Sequence, residues 1–204
     1  MPQVGSAGFI EVTSGKVTET GTLLLGLGAN IAGPWGTPRE TICRALAEIE
    51  GLGLVIFRVS HIFRTLPVGP QHQPSFLNAV VLAAGHMAPA ALLRGLKTIE
   101  RRAGRQPGAR WGPRVLDIDV LGYGGRRLGW PGRGPRPGRL VLPHPELHKR
   151  AFVLVPLMEV APHWVHPALG VGARRLLQRL SNAQRLRFGQ KLDFGGFPCE
   201  KHSK

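Results

Sequence analysis

The order of hydrophobic periodicities along the 204 residues predicts an α+β fold. The expected core is ferredoxin-like, βαββαβ, an antiparallel four-stranded sheet with two helices on one face, followed by C-terminal helices and a short extra strand. Three observations carry that expectation. Strand-like apolar runs occupy residues 22–28, 54–63, 76–84 and 115–121; helical spacing fills the intervals after the first and the third; and the middle two runs follow each other with no helix between them. Such a sheet leaves its other face available for a site.

Residues 1–21 are polar, contain glycine and show neither period, so they read as a flexible extension. Residues 22–28 form a short buried strand. Its Gly26-Leu27-Gly28 is not a dinucleotide fingerprint, because Ile31 stands where a third glycine belongs and the next helix starts too late. That helix opens at Thr37, with Pro38 at the first helical position and Glu40 at the third, the pattern of a capping box. Ile42, Leu46 and Ile49 mark its core stripe, and Gly51 is expected to end it in the left-handed conformation. Residues 54–63 read as one strand with Val55, Phe57 and Val59 on one face.

Residues 64–75 hold three prolines, a glycine and two glutamines, which is irregular and long for a passive connection, so a functional loop is expected. After the strand at 76–84, residues 88–103 form a second helix with Leu92, Leu96, Ile99 and Ala103 inward and Gly104 at its end. Residues 122–139, rich in glycine, proline and arginine, are expected to lack fixed structure and to end in a strand-like Leu140-Val141-Leu142. Residues 150–160 and 172–180 read as helices, the first shortened or kinked by Pro156. The expected organisation is one domain over residues 22–180, preceded by the extension and followed by a poorly ordered basic tail over residues 181–204.

A hydrophobic content of 43% argues against disorder, and no run of eighteen apolar residues is present to span a membrane. No basic start with an apolar core opens the chain. Cys43 and Cys199 are too few for a disulfide framework or a zinc site, so a reducing cytoplasm is the expected location. The net charge of +15 raises the possibility of a nucleic-acid partner. Against it, aromatic residues make up 6% of the chain and are not interleaved with the arginines as base-stacking platforms are.

The chain has three aspartates, and two of them, Asp117 and Asp119, lie in a region where residues 101–150 carry twelve lysines and arginines against three acids. The two-residue period of a strand puts both carboxylates on one face, with Leu116, Ile118 and Val120 on the other. Like charges so placed become favourable with a divalent cation between them, and hard oxygen donors suit magnesium. Arg105, Arg110 and Arg114 offer forked donors for phosphate, and Trp111 can pack on a planar ring. His144 and His148 have helical zinc spacing, but Pro145 follows the first and no third ligand is evident, so a phosphate contact by His144 is the better reading.

Taken together, several segments resemble the 6-hydroxymethyl-7,8-dihydropterin pyrophosphokinase family. They are Leu24-Leu25-Gly26-Leu27-Gly28-Ala29-Asn30, Arg64-Thr65-Leu66-Pro67-Val68-Gly69-Pro70-Gln71, Gln73-Pro74-Ser75-Phe76-Leu77-Asn78, Ile99-Glu100, the block Arg110-Trp111-Gly112-Pro113-Arg114-Val115-Leu116-Asp117-Ile118-Asp119, and Leu142-Pro143-His144. The resemblance implies transfer of pyrophosphate from ATP to the pterin alcohol, giving AMP and the pterin diphosphate in tetrahydrofolate biosynthesis. It further implies two magnesium ions on Asp117 and Asp119, with Arg105 and Arg114 neutralising charge at the transferred group. Glu100, Arg110, Trp111, His144 and Arg150 match positions that contact ATP or close over the site. The pterin ring would stack between Phe76 and Phe152, with Asn78, Asp117 and the backbone around Thr65, Leu66 and Val68 at its polar edge. No general base is evident, and metal-assisted deprotonation is the expectation. The implied partners are the two small substrates, with no membrane, and the chain is expected to act as a monomer. The alternatives are a basic nucleic-acid-binding module on the same sheet or an inactive family member, because Ala29, Pro145 and a shortened stretch from Arg105 to Arg110 depart from the family pattern.

Overall fold

The computed structural model describes residues 21–67, 73–106, 112–130, 140–186 and 188–192. Strand β1 (Thr22–Ala29) lies at the centre of an antiparallel sheet. On one side it pairs along its whole length with β4 (Phe76–Ala84), and on the other with β5 (Asp117–Tyr123). The far side of β4 receives two short strands end to end, β2 (Val55–Val59) and β3 (Ile62–Thr65). The single strand expected over residues 54–63 is therefore interrupted. Ser60 is the cause: its buried hydroxyl donates to the His61 carbonyl (2.8 Å) and accepts from the Val80 amide (2.9 Å), replacing a ladder bond. Within β2 the expected Val55 and Phe57 face is the exposed one, at 60% and 40%, and Ile56 points to the core.

The alternation of β1 divides the interior in two. Leu23, Leu25 and Leu27 pack under helices α1 (Pro38–Glu50) and α2 (Pro89–Arg102), which bury Ile42, Leu46 and Ile49, and Leu92, Leu96 and Ile99. Each such aliphatic side chain contributes roughly 1.5–3 kcal/mol when fully removed from water. Helix α1 starts as its sequence predicts: Thr37 Oγ1 accepts from the Glu40 amide, and the Glu40 carboxylate accepts from the Thr37 amide. Its end differs from expectation. Gly51 is right-handed (φ −60°), and the left-handed residue is Gly53 (φ 81°), two positions on. Gly104, at φ 99°, does end α2 in the expected way.

Leu24, Val80 and Leu121 on the opposite face pack against helices α3 (Ala151–Val160) and α4 (Ala173–Gln178). Helix α3 continues past Pro156 to Val160. Strands β6 (Val165–His166) and β7 (Val171–Gly172) form a hairpin between these helices. Two further expectations are corrected. The part of the 122–139 segment that is described has a defined end, with Leu128 and Leu142 exchanging backbone hydrogen bonds of 2.9 Å. Within the expected tail, α5 (Asn182–Leu186) and β8 (Phe188–Leu192) are regular structure; β8 pairs with β3 and widens the four-stranded expectation to a six-stranded sheet, and residues 193–204 lie outside the described residues.

Candidate active site

Cross-strand register assembles the site. Asp117, Gly28 and Asn78 lie opposite one another on β5, β1 and β4, and the next row on the same face is Asp119, Gly26 and Val80. Helices α3 and α4 cover the Leu24 end of this face, and the two glycines leave its other end open as a cavity of about 430 Å³. A Cβ on Gly28 would lie 3.0 Å from Asn78 Oδ1, so a larger residue there would crowd that amide.

One wall is ionic. Glu100, on α2, is almost inaccessible, and its Oε1 accepts from the Ile118 amide (2.7 Å), from Lys97 Nζ (2.7 Å) and from Arg105 Nη1. The same Arg105 nitrogen meets Asp117 Oδ1. Burial alone would raise the pKa of Asp117, but Arg105, Lys97 and Arg114 outweigh it and hold this carboxyl below its usual range. Glu100 moves the other way: burial raises it, and Lys97 recovers only part of that cost. Asp119 is more loosely met, with His144 Nε2 at 3.8 Å and Arg150 Nη1 at 4.0 Å.

The outer edge of β5 positions these partners. The Ile118 amide reaches Glu100, while the Leu121 carbonyl accepts from the His144 amide (2.9 Å) and so sets His144 beside Asp119. His144 Nδ1 accepts from the Glu146 amide (3.2 Å), which leaves the ring proton of the neutral imidazole on Nε2, facing Asp119. Burial, with Arg150 adding to it against the pull of Asp119, lowers the His144 pKa, so this neutral form is the one present at pH 7.

The other wall is apolar with a polar seam. Phe76 and Phe152 both line it, together with half-exposed Leu66, and Asn78 Nδ2 donates to buried Thr65 Oγ1 (2.7 Å). Arg150 lies 5.6 Å over the Phe152 ring and links the two walls.

Eleven residues named from the sequence therefore come to one cavity: Thr65, Leu66, Phe76, Asn78, Arg105, Arg114, Asp117, Asp119, His144, Arg150 and Phe152. Glu100 stands behind the wall and holds Arg105. Val68, Arg110 and Trp111 lie outside the described residues. Sequence reading missed two members of the wall, Lys97 and Glu146. Lys97 had a signal, its helical i,i+3 spacing to Glu100. It also passed over the role of Asn30, a buried staple whose Nδ2 donates to the Pro74 carbonyl (3.0 Å) and whose Oδ1 accepts from the Arg114 amide (2.7 Å). Among the described residues no group of three or more His, Cys, Asp or Glu side chains is placed to hold a metal. Asp117 and Asp119 are hard oxygen donors on one strand face, open to the cavity, and this donor set fits a cation that also draws ligands from a phosphate.

Residues 24–162 match the family described as 7,8-dihydro-6-hydroxymethylpterin-pyrophosphokinase (HPPK). The chain belongs to that family. It is 35% identical over 174 residues to the 2-amino-4-hydroxy-6-hydroxymethyldihydropteridine pyrophosphokinase of Synechocystis sp., covering 85% of this chain and 83% of that one. To the Pseudomonas aeruginosa pyrophosphokinase it is 41% identical, over 67% of this chain and 78% of that one. Wild-type Plasmodium falciparum HPPK-DHPS superposes with a TM-score of 0.55 at 14% identity, over 79% of this chain and 45% of that one, a likeness of fold. As an HPPK, the chain is an ATP-dependent pyrophosphokinase of folate biosynthesis, and the cavity's ionic wall and ring-lined wall are to be understood against that activity.

Proposed function

We propose that this cavity binds ATP and 6-hydroxymethyl-7,8-dihydropterin together and transfers the β,γ-pyrophosphoryl group to the pterin hydroxymethyl oxygen, releasing AMP. The observation that carries the reading is the pairing of two unlike walls across one glycine floor. Phe76 and Phe152 offer faces for a flat heteroaromatic ring, and Asn78 with Thr65 meets its polar edge. Asp117 and Asp119 hold magnesium, two ions by family resemblance, which when bound neutralises charge on the phosphates. Arg105 and Arg114 bind the transferred group through forked donors, and neutral His144 presents its Nε2–H toward the same side. Glu100, Arg110, Trp111 and Arg150 complete the nucleotide side, and Leu66 and Val68 the pterin side. In the displacement the hydroxymethyl oxygen forms a bond to the β-phosphorus as the bond to the α,β-bridging oxygen breaks, AMP leaves and the hydroxyl proton is released to solvent. With no side chain assigned as general base, catalysis on this reading is positioning and charge stabilisation.

Several broader readings go with it. The strand order β5-β1-β4-(β2, β3) supports a ferredoxin-like core in which β2 and β3 act as one interrupted strand. A catalytic domain over residues 22–180 is supported by the family match at 24–162. A monomer in the cytoplasm completes the reading; no described helix is long and apolar enough to cross a membrane. The family match favours enzyme over nucleic-acid module. Release of AMP from ATP tests this directly. It should require both magnesium and the hydroxymethyl pterin, and the Asp117→Ala, Asp119→Ala double variant should lose it; turnover retained in that variant would sink the metal assignment.

A further inference from the structure

Arg105 and a divalent cation are rival partners of one carboxylate. Arg105 Nη1 sits between Glu100 Oε1 and Asp117 Oδ1, in contact with both. The two acids are not equivalent. Glu100 is closed off from the cavity and has two further donors, the Ile118 amide and Lys97 Nζ, so it serves as a fixed anchor for the guanidinium. Asp117 faces the cavity, and Arg105 is its near cation. Asp119, two residues along the strand, has among the described residues the longer approaches of His144 and Arg150, at 3.8 and 4.0 Å. The carboxylate pair is thus half masked. A metal ion on the other oxygen of Asp117 would still face the guanidinium across a single carboxyl group, at a separation where like charges repel strongly in a partly desolvated site. A polyphosphate removes that conflict, because its oxygens give the metal and the guanidinium separate anions.

We propose that Arg105, besides binding the transferred group, screens Asp117 against free metal and couples metal binding to nucleotide binding. This inference rests on the assignment of Asp117 and Asp119 as metal ligands. The coupling is reciprocal: by whatever factor nucleotide raises the affinity for metal, metal raises the affinity for nucleotide. The practical result is that the site fills with nucleotide and metal together, and a bare ion does not hold the carboxylates in a geometry set without substrate.

The test titrates the full chain with Mn²⁺, read by the electron paramagnetic resonance signal of the free aquo ion, with and without α,β-methylene-ATP. In the wild type the analogue should raise Mn²⁺ affinity by about tenfold or more. Arg105→Met and Arg105→Gln should bind Mn²⁺ alone about tenfold more tightly than the wild type, and the gain from the analogue should shrink. Arg105→Lys, which keeps the charge, should bind Mn²⁺ alone as weakly as the wild type. The proposal is overturned if whichever neutral variant folds binds Mn²⁺ alone no more tightly than the wild type, or if the lysine variant behaves like the neutral ones. A different failure is separable. If wild type with the analogue retains no more Mn²⁺ than the analogue does by itself, the metal assignment falls, and this inference with it.

Discussion

Two regions of the molecule bury ionisable side chains, and they use them in opposite ways. In the cavity, Glu100, Arg105, Asp117, Asp119 and His144 form a connected set with one open side. Beside α3, buried His166 and Trp164 meet half-buried His148 and Trp130, the His166 ring lying 5.1 Å from Trp130, 5.8 Å from His148 and 5.6 Å from Trp164. His144 and His166 make the contrast sharpest. Each accepts backbone amide hydrogens on Nδ1 and so carries its neutral-form proton on Nε2. For His144 that proton faces a carboxylate across the cavity, whereas His166 Nε2 and His148 Nδ1 are buried without a hydrogen-bond partner among the described residues. The first arrangement keeps donors and charges ready for a ligand. The second uses an imidazole as a turn-former, since His166 Nδ1 accepts from Ala168 and Leu169 and so shapes the β6–β7 hairpin.

The largest effect should come from the cavity and fall mainly on activity. Asp117→Asn removes a charge that Arg105 and the nucleotide side depend on, so turnover should fall on the order of a thousandfold, about 4 kcal/mol in the transition state. Stability should fall far less, because loss of the favourable pairing with Arg105, Lys97 and Arg114 is partly offset by relief of the like-charge pressure of Asp117 on Glu100. Steady-state kinetics and a urea melt of one preparation check both halves. A large loss of stability would mean that the ionic wall holds up the fold as well.

The next effect belongs to the sealed cluster and should touch stability alone. Burial, assisted by the nearby His148, lowers the His166 pKa to about 4. An unfolded chain takes up the proton near the ordinary histidine value of about 6.5. Below that value the unfolded state binds more protons than the folded one, so the stabilisation is complete above about 6.5 and is lost as pH falls toward 4. The loss attributable to this one group between pH 7.5 and 4 is about 2–3 kcal/mol. His166→Asn, whose carbonyl can replace Nδ1 as acceptor, should flatten that part of the pH dependence while leaving kcat/KM at pH 8 within about twofold. An altered activity profile would break the division between the two regions.

What could be seen in the sequence follows the same division. Local rules exposed the capping box at Thr37 and Glu40, the alternation of β1 and the common face of Asp117 and Asp119, because each depends on neighbours a few residues apart. The interruption of β2 and β3 stayed hidden: Val59-Ser60-His61 carries no glycine or proline, and the break depends on Ser60 meeting Val80, twenty positions away. The left-handed turn after α1 was misplaced by two residues because Gly51 and Gly53 offer the same local signal. In the site, the motif residues could be named but not their division of labour. That Glu100 anchors Arg105 from behind, and that Asn30 ties Pro74 to Arg114, are long-range consequences of register. The imidazole and indole cluster gave little local signal, since only Trp164 and His166 are near in sequence and Trp130 and His148 come from other segments.

Phe152 is where the two regions meet, and it gives the finest test. Its ring lines the cavity and also packs against the core behind α3, with Arg150 over it at 5.6 Å. Phe152→Leu keeps an apolar side chain for that core but removes the aromatic face. If the ring serves the pterin, its KM should rise about two- to tenfold, matching the 0.5–1.5 kcal/mol typical of an aromatic contact beyond its buried area, while the KM for ATP moves little. A stability loss of more than about 1.5 kcal/mol with unchanged KM values would assign Phe152 to the core instead. Equal rises in both KM values would point to Arg150, released from the ring it covers and displaced from Asp119. The three outcomes separate because each has its own readout: the π face moves the KM for the pterin, the arginine lying on it moves both KM values, and the small loss of volume moves stability.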